Sequence, residues 1–265
     1  MDSVDLIWKD GRFGQTTRRD AWWKDAIPVL VVFSLFLIYA NWAAWQGNHY
    51  TWGPYLSPFY SPLFFGDSEH AWFGPRPEWI PAFVSPALLI LWVPGLFRFT
   101  CYYYRGAYYK AFWADPPACA VSEPRNSYLG ERYFPLILQN LHRYFLVLAC
   151  TFIFLLTWDV WKALWWKDAA TGHVGFGIGL GTIVLAVNVV FLGGYTFGCH
   201  AMRHIIGGVM DRLSESPARL KAYQCVDCLN GKHKMWAWLS LFSVGLSDVY
   251  VRCCSMGIIS DWRIL

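Results

Sequence analysis

Five long runs of apolar positions divide the chain, near Ala26–Trp45, Ile80–Thr100, Pro135–Trp158, Val174–Phe197 and Trp236–Ile259. As a helix, each is long enough to cross a hydrocarbon layer of about 30 Å, which takes about 20 residues. The pattern predicts an all-α, polytopic membrane protein, a bundle of five transmembrane helices forming a single membrane-anchor domain over residues 1–265. Between the first two runs, residues 46–79 are rich in Pro, Gly, Trp and Tyr. Prolines interrupt regular structure and the aromatic rings suit a membrane interface. This segment reads as an ordered loop on the periplasmic side, not as a sixth span.

Local signals refine the ends of these elements. The second run continues through RFTCYYYRGAYYKAFW, which contains no Pro, until Asp115-Pro116-Pro117 stops it. Pro135 suits the first turn of the third helix. The fourth opens on Gly175, Gly177, Gly179 and Gly181, small residues that permit close contact in lipid. Without a preceding strand they are no nucleotide-binding fingerprint.

Composition supports the membrane reading. Of 265 residues, 56% are hydrophobic and 15% charged, where a soluble domain carries about 25% charge. The 17 Trp fit rings held between hydrocarbon and headgroups. The net charge of +4 is small and its basic residues are dispersed, which excludes a nucleic-acid-binding stripe. No apolar core of a cleavable signal peptide precedes residue 25. The N-terminal segment, the connection Arg98–Arg132 and the connection Arg203–Lys234 hold 16 of the 22 Lys and Arg. By the positive-inside rule these three segments are cytoplasmic, so the N-terminus is inside and the C-terminus outside a plasma (inner) membrane that the chain crosses several times.

Soft metal ligands concentrate on the predicted cytoplasmic side: Cys101, Cys119, Cys199, Cys225 and Cys228, with His142, His200, His204 and His233. In a reducing compartment such thiols bind metal, react or stay inert rather than form disulfides. His200 and His204 are four apart and share one helical face, so they can ligate one ion or contact lipid phosphate. His142, inside the third run, is a functional candidate because ionisable groups in a membrane are costly. Two thiol pairs compete to accompany the histidines, Cys101 with Cys119 and the CxxC of Cys225 and Cys228. Cys150, Cys253 and Cys254 read as packing residues. Asp248 and Arg252, four apart in the last run, read as a buried pair.

The motifs TCYYYR from Thr100, PPACAV from Pro116, LQNLHRY from Leu138, GCHAMRHIIGG from Gly198 and the run from Met235 through WAWLSLFSVGLSDVYVR resemble the membrane-anchor (SdhC-like) subunit of mycobacterial-type succinate dehydrogenase. The likeness covers about residues 80–260. It implies an anchor of succinate:quinone oxidoreductase, partnered by flavoprotein and iron–sulfur subunits and holding a membrane-embedded Rieske-type [2Fe–2S] centre. Such a centre takes two thiolates and two neutral imidazoles, and the imidazoles raise its potential. The resemblance then assigns Cys101 and Cys119 as thiolate ligands and His200 and His204 as imidazole ligands, with His142, Cys199, Cys225 and Cys228 as substitutes. Arg143, Tyr103, His233 and Trp238 lie at the depth for quinone, either menaquinone or ubiquinone. Succinate oxidation itself needs a flavin-binding fold that this chain lacks, so it belongs to other chains.

Three alternatives stay open at this point. A b-haem anchor would need two axial histidines on facing helices, for which His142 and His204 are available. A thiol–quinone oxidoreductase would use the CxxC, and a purely structural anchor would hold no cofactor. The sequence leaves quinone type, direction of electron flow, proton coupling and any higher oligomer undetermined.

Overall fold

A computed structural model of the protein describes residues 13–124, 132–134, 136–167, 171–208 and 211–265. The described residues form eight α-helices: α1 (Ala26–Gln46), α2 (Trp92–Phe99), α3 (Tyr102–Tyr108), α4 (His142–Lys162), α5 (Leu180–Phe197), α6 (His200–Gly207), α7 (Pro217–Asn230) and α8 (His233–Ser255). Two hairpins, β1 (Thr51–Trp52) with β2 (Tyr55–Leu56) and β3 (Trp165–Lys167) with β4 (Val174–Phe176), accompany them. The chain therefore is mostly helical, as its apolar pattern predicts, with a small β component that the pattern does not announce.

Three of the described helical segments are long and apolar enough to cross a membrane: Trp22–Gln46, Leu136–Lys162 and Leu180–Phe197. In α1 only Ala43 and Ala44 are buried, so its apolar surface is turned outward almost all round, as suits lipid. The third predicted run forms a 3₁₀ turn, Leu136–Leu141, leading into α4. Pro135, its predicted first-turn residue, lies outside the described residues, as does the N-terminal stretch 1–12. The last run forms α8, whose 23 residues have the length to span. Its serines, Asp248 and Arg252 make it less apolar than the other three.

The second run differs from expectation. Residues 80–100 do not form one helix but a 3₁₀ turn, Pro86–Leu89, followed by α2. Pro81 and Pro86 disfavour helical backbone in the residues before them, whereas Pro94 sits in the first turn of α2, where a missing N–H is tolerated. Cys101 is extended (φ −68°, ψ 128°) and separates α2 from α3. A π-helical turn, Tyr109–Trp113, follows, and Ala114 at φ 53° ends it just before the predicted stop at Asp115-Pro116.

By its internal contacts the chain divides into two units, Met1–Ile38 with Arg98–His142 and Tyr39–Phe97 with Arg143–Leu265. In the first, Phe33 packs on Tyr104 and Phe112, with ring centroids 5.5 and 6.0 Å apart. The start of the described chain is tied to the turn after the π helix. Thr16 Oγ1 donates to the Ala120 carbonyl at 2.6 Å, and Arg18 Nη1 to the Cys119 carbonyl at 2.9 Å.

The second unit is built on α5 and α8, which run antiparallel: Asn188 meets Ser243, and further along Tyr195 stacks on His233. Gly194 allows Trp236 to close the gap, since a Cβ there would sit 2.6 Å from the indole. The segment read as an ordered loop is buried from Tyr55 to Leu63, and three carboxylates hold it. Ser57 Oγ donates to Asp248, Ser61 Oγ to Asp159, and the Tyr55 hydroxyl to Asp261 at 2.8 Å. Unpaired, such acids would each carry a heavy desolvation cost; hydroxyl donors offset it while fixing the loop.

The glycine run at the head of the fourth predicted span acts through this loop. Residues 174–176 pair with Trp165–Lys167, so the helix starts at Leu180 rather than at Val174. A Cβ at Gly179 or Gly181 would fall on the Tyr55 side chain. Gly181→Ala is expected to destabilise the folded protein by about 1–3 kcal/mol, the usual cost of overpacking. Gly106→Ala, which faces open space, should be near neutral. Thermal unfolding midpoints of the two variants check this, and equal midpoints would remove the packing account.

Candidate metal and quinone site

In the first unit, Cys101 and His142 are both buried. Cys101 precedes α3, and His142 opens α4 with its Nδ1 2.8 Å from Thr100 Oγ1. A hydrogen bond at one imidazole nitrogen orients the ring, the usual support for a ligating histidine. Gln139, one turn before His142, donates from Nε2 to the Phe99 carbonyl at 2.9 Å and to the Tyr108 hydroxyl at 2.6 Å. Its Oε1 is buried and accepts no hydrogen bond among the described residues. Cys119, by contrast, is exposed.

In the second unit, His200 and His204 occupy one exposed face of α6, with their Nε2 atoms 3.0 Å apart and their rings edge to face. A metal ion about 2.1 Å from each imidazole nitrogen spans that gap with little adjustment. Burial first, then the neighbouring His204 and Arg203, lower the His200 pKa, which favours the neutral ring that a metal requires. Cys199 is buried at the residue before α6. Cys225 and Cys228 are both exposed on α7, and between them Asp227 pairs with Arg203 at 3.1 Å. Among the described residues of either unit, no three His, Cys, Asp or Glu side chains converge as a ready metal group.

The four residues expected at quinone are dispersed. Arg143 is exposed on α4. Tyr103 is half-buried, 5.6 Å from the Tyr104 ring. His233 stacks on Tyr195 at 5.0 Å, and Trp238 lies 6.2 Å from Phe242 one turn on along α8.

Sequence reasoning did not single out Thr100, Gln139, Asp159, Asn188 or Asp261. Gln139 stands in LQNLHRY three residues before His142, a spacing that puts both on one helical face. Asp159, in an apolar run with Lys162 three residues on, pairs with it at 2.9 Å. An acid directly after the last residue of a predicted span, Trp158, was the available signal. Asp248 and Arg252 do pair, at 3.3 Å, as their spacing predicts.

Long helices with outward apolar surfaces, and with Asp159, Asn188, Asp248 and Arg252 buried, define a helical membrane protein. Residues 24–257 match the family described as actinobacterial succinate dehydrogenase subunit SdhC. A chain of the Mycobacterium smegmatis Sdh1 complex, solved in the apo form, is 38% identical, with 97% of each chain covered and a TM-score of 0.86. No curated protein matches. The chain belongs to the SdhC family and is a membrane subunit of succinate dehydrogenase.

Proposed function

We propose that the chain anchors a succinate:quinone oxidoreductase, assembled with flavoprotein and iron–sulfur subunits, and delivers electrons through a Rieske-type [2Fe–2S] centre to membrane quinone, menaquinone or ubiquinone. The observation that carries this reading is the His200–His204 pair, two imidazole nitrogens 3.0 Å apart in a chain of this family. His200 and His204 supply the nitrogen ligands and Cys101 and Cys119 the thiolates; His142, already oriented by Thr100, is the first substitute. The centre, when bound, supplies one-electron transfer at a potential raised by its imidazole ligands. The chain's own part is to present the two imidazoles on one face of α6 and to supply donors to quinone, for which Tyr103, Arg143, His233 and Trp238 are the candidates.

Electron paramagnetic resonance of the reduced complex, with iron and acid-labile sulfide analysis, tests the centre. A signal of low average g with two irons per chain beyond those of the partners is the expected result; sharp b-haem bands in the visible spectrum would replace it with the haem reading.

The same proposal places α1, residues 80–100 with α2 at their end, α4, α5 and α8 in the membrane as five spans with the N-terminus in the cytoplasm, on the support of the Lys and Arg distribution. A reporter active only in the cytoplasm should work at the N-terminus and fail at the C-terminus. Equal activity at both ends would mean an even number of spans.

A further inference from the structure

α8 carries a polar row from His233 to Asp248. His233, Trp236, Ser240, Ser243 and Ser247 follow at spacings of three and four, which align them on one helical face, and Asp248 directly follows Ser247 at the edge of that face. From Ser240 onward the row is buried, with Ser240, Ser247 and Asp248 0% exposed and Ser243 9%, and His233 and Trp236 are half-buried. α5 lies against it and adds buried Asn188, whose Oδ1 accepts from Ser243 Oγ at 2.9 Å. From His233 to Asp248 is about 22 Å at a helical rise of about 1.5 Å per residue.

Close packing of two helices in lipid needs only small residues, for which Ala or Gly serves as well as Ser. Ser240 and Ser243 also donate to the carbonyls of Ala237 and Ser240 at 3.0 and 3.3 Å, but three hydroxyls in succession, at Ser240, Ser243 and Ser247, call for a further reason. Two polar atoms of the row, Ser247 Oγ and Trp236 Nε1, are buried with no hydrogen-bond partner among the described residues. Such a group costs about 1–3 kcal/mol unless something satisfies it. Side chains three or four apart on a helix stand about 5–6 Å from one another. That is the length of two hydrogen bonds of about 2.8 Å through one water molecule.

We propose that this row is a proton path from the outer face to quinone held at the His233 end, an inference that rests on the quinone-reductase reading above. At the outer end the half-buried Tyr39 hydroxyl donates to Asp248 Oδ2 at 2.5 Å, and Ser57 donates to Oδ1. Protons pass from there by Ser247, Ser243 with Asn188, and Ser240, each hydroxyl accepting one proton and releasing another. Trp236, a donor only, orients water and does not relay. Oxidation of one succinate releases two electrons and two protons on the cytoplasmic side; reduction of one quinone to quinol takes up two electrons and two protons. With those protons drawn through the row, two positive charges move inward per quinol, and an inside-negative potential drives turnover forward.

The test uses the intact complex in sealed phosphatidylcholine vesicles, with succinate and a short-chain quinone added outside and a pH dye trapped inside. Added succinate reaches only complexes whose cytoplasmic side faces out, so the trapped dye reads the outer face of the chain. With potassium and valinomycin present, the lumen should turn alkaline, losing one proton for each electron that reaches quinone. Ser247→Ala, which removes a hydroxyl bonded to no protein atom among the described residues, should slow quinone reduction by about tenfold or more, given that a positioned proton-transfer group contributes about 10²–10⁴-fold. It should also abolish the lumenal change and leave succinate-to-dye electron transfer intact, and Ser247→Thr should restore both. A wild-type complex that forms quinol with no lumenal pH change overturns the proposal, as does Ser247→Ala with full turnover and full alkalinisation. A wild-type complex that reduces the dye but no quinone would instead overturn the quinone-reductase reading itself.

Discussion

Replacing His200 or His204 with alanine is expected to abolish succinate-driven quinone reduction while the complex still passes electrons from succinate to a soluble dye at its normal rate. The two imidazoles lie on one exposed face with their Nε2 atoms 3.0 Å apart, so losing either removes half of a nitrogen ligand pair. Partners outside a metal's ligand set already change affinity or activity by about 10–100-fold, and a direct ligand should exceed that range. Succinate oxidation resides on other chains, so only the last transfer should fail. Cys101→Ser and Cys119→Ser should behave alike, because a neutral hydroxyl is a poor replacement for thiolate at iron. Cys150→Ser and Cys254→Ser should retain iron. The doubly substituted Cys225→Ser, Cys228→Ser protein decides between the thiolate pairs. Full iron content there supports Cys101 and Cys119, and loss of iron there with retention in Cys101→Ser moves the thiolates to α7. If His142→Ala loses the centre and His200→Ala keeps it, the imidazole oriented by Thr100 is the ligand instead.

Hydrophobic patterning made the helices legible where one residue class dominates a long run. α1, α4 and α5 follow from it, since an unbroken apolar stretch has no good alternative to a helix in lipid. The α2–α3 region was harder to read because its composition is equally apolar while its prolines and the extended Cys101 decide the backbone. The hairpin β3–β4 was hidden in the same way, with Val174, Gly175 and Phe176 adding to the hydropathy of a span they do not join. Of the chemistry, pairs four apart on a helix were legible, and both His200–His204 and Asp248–Arg252 meet. Contacts between distant segments were not. Nothing local marks Thr100 as the partner of His142, or Ser57, Ser61 and Tyr55 as donors to three separate acids. Those pairings depend on how the loop folds back, which spacing does not encode.

Asp248→Asn alone is expected to harm folding more than Asp248→Asn combined with Arg252→Gln. Asp248 is fully buried and Arg252 nearly so, with Nε 3.3 Å from the carboxylate. Removing one partner of a buried pair costs about 3–5 kcal/mol, because the other charge stays in low dielectric without compensation; removing both takes away the desolvation cost along with the attraction. The surroundings sharpen the comparison. Arg252 Nη1 also donates to the Asn48 carbonyl at 3.0 Å, and its guanidinium lies 5.1 Å from the centre of the Trp42 ring. A neutral Gln can keep a hydrogen bond to a carbonyl, so the double variant retains part of what holds the loop after α1. The amide that replaces the Asp248 carboxylate can still accept from Ser57 or Tyr39, which leaves the uncompensated cation as the main defect of the single variant. Yield of assembled complex and its thermal midpoint report the difference. Equal values for the single and double variants would show that the loop is held by the hydroxyl donors and not by the ion pair.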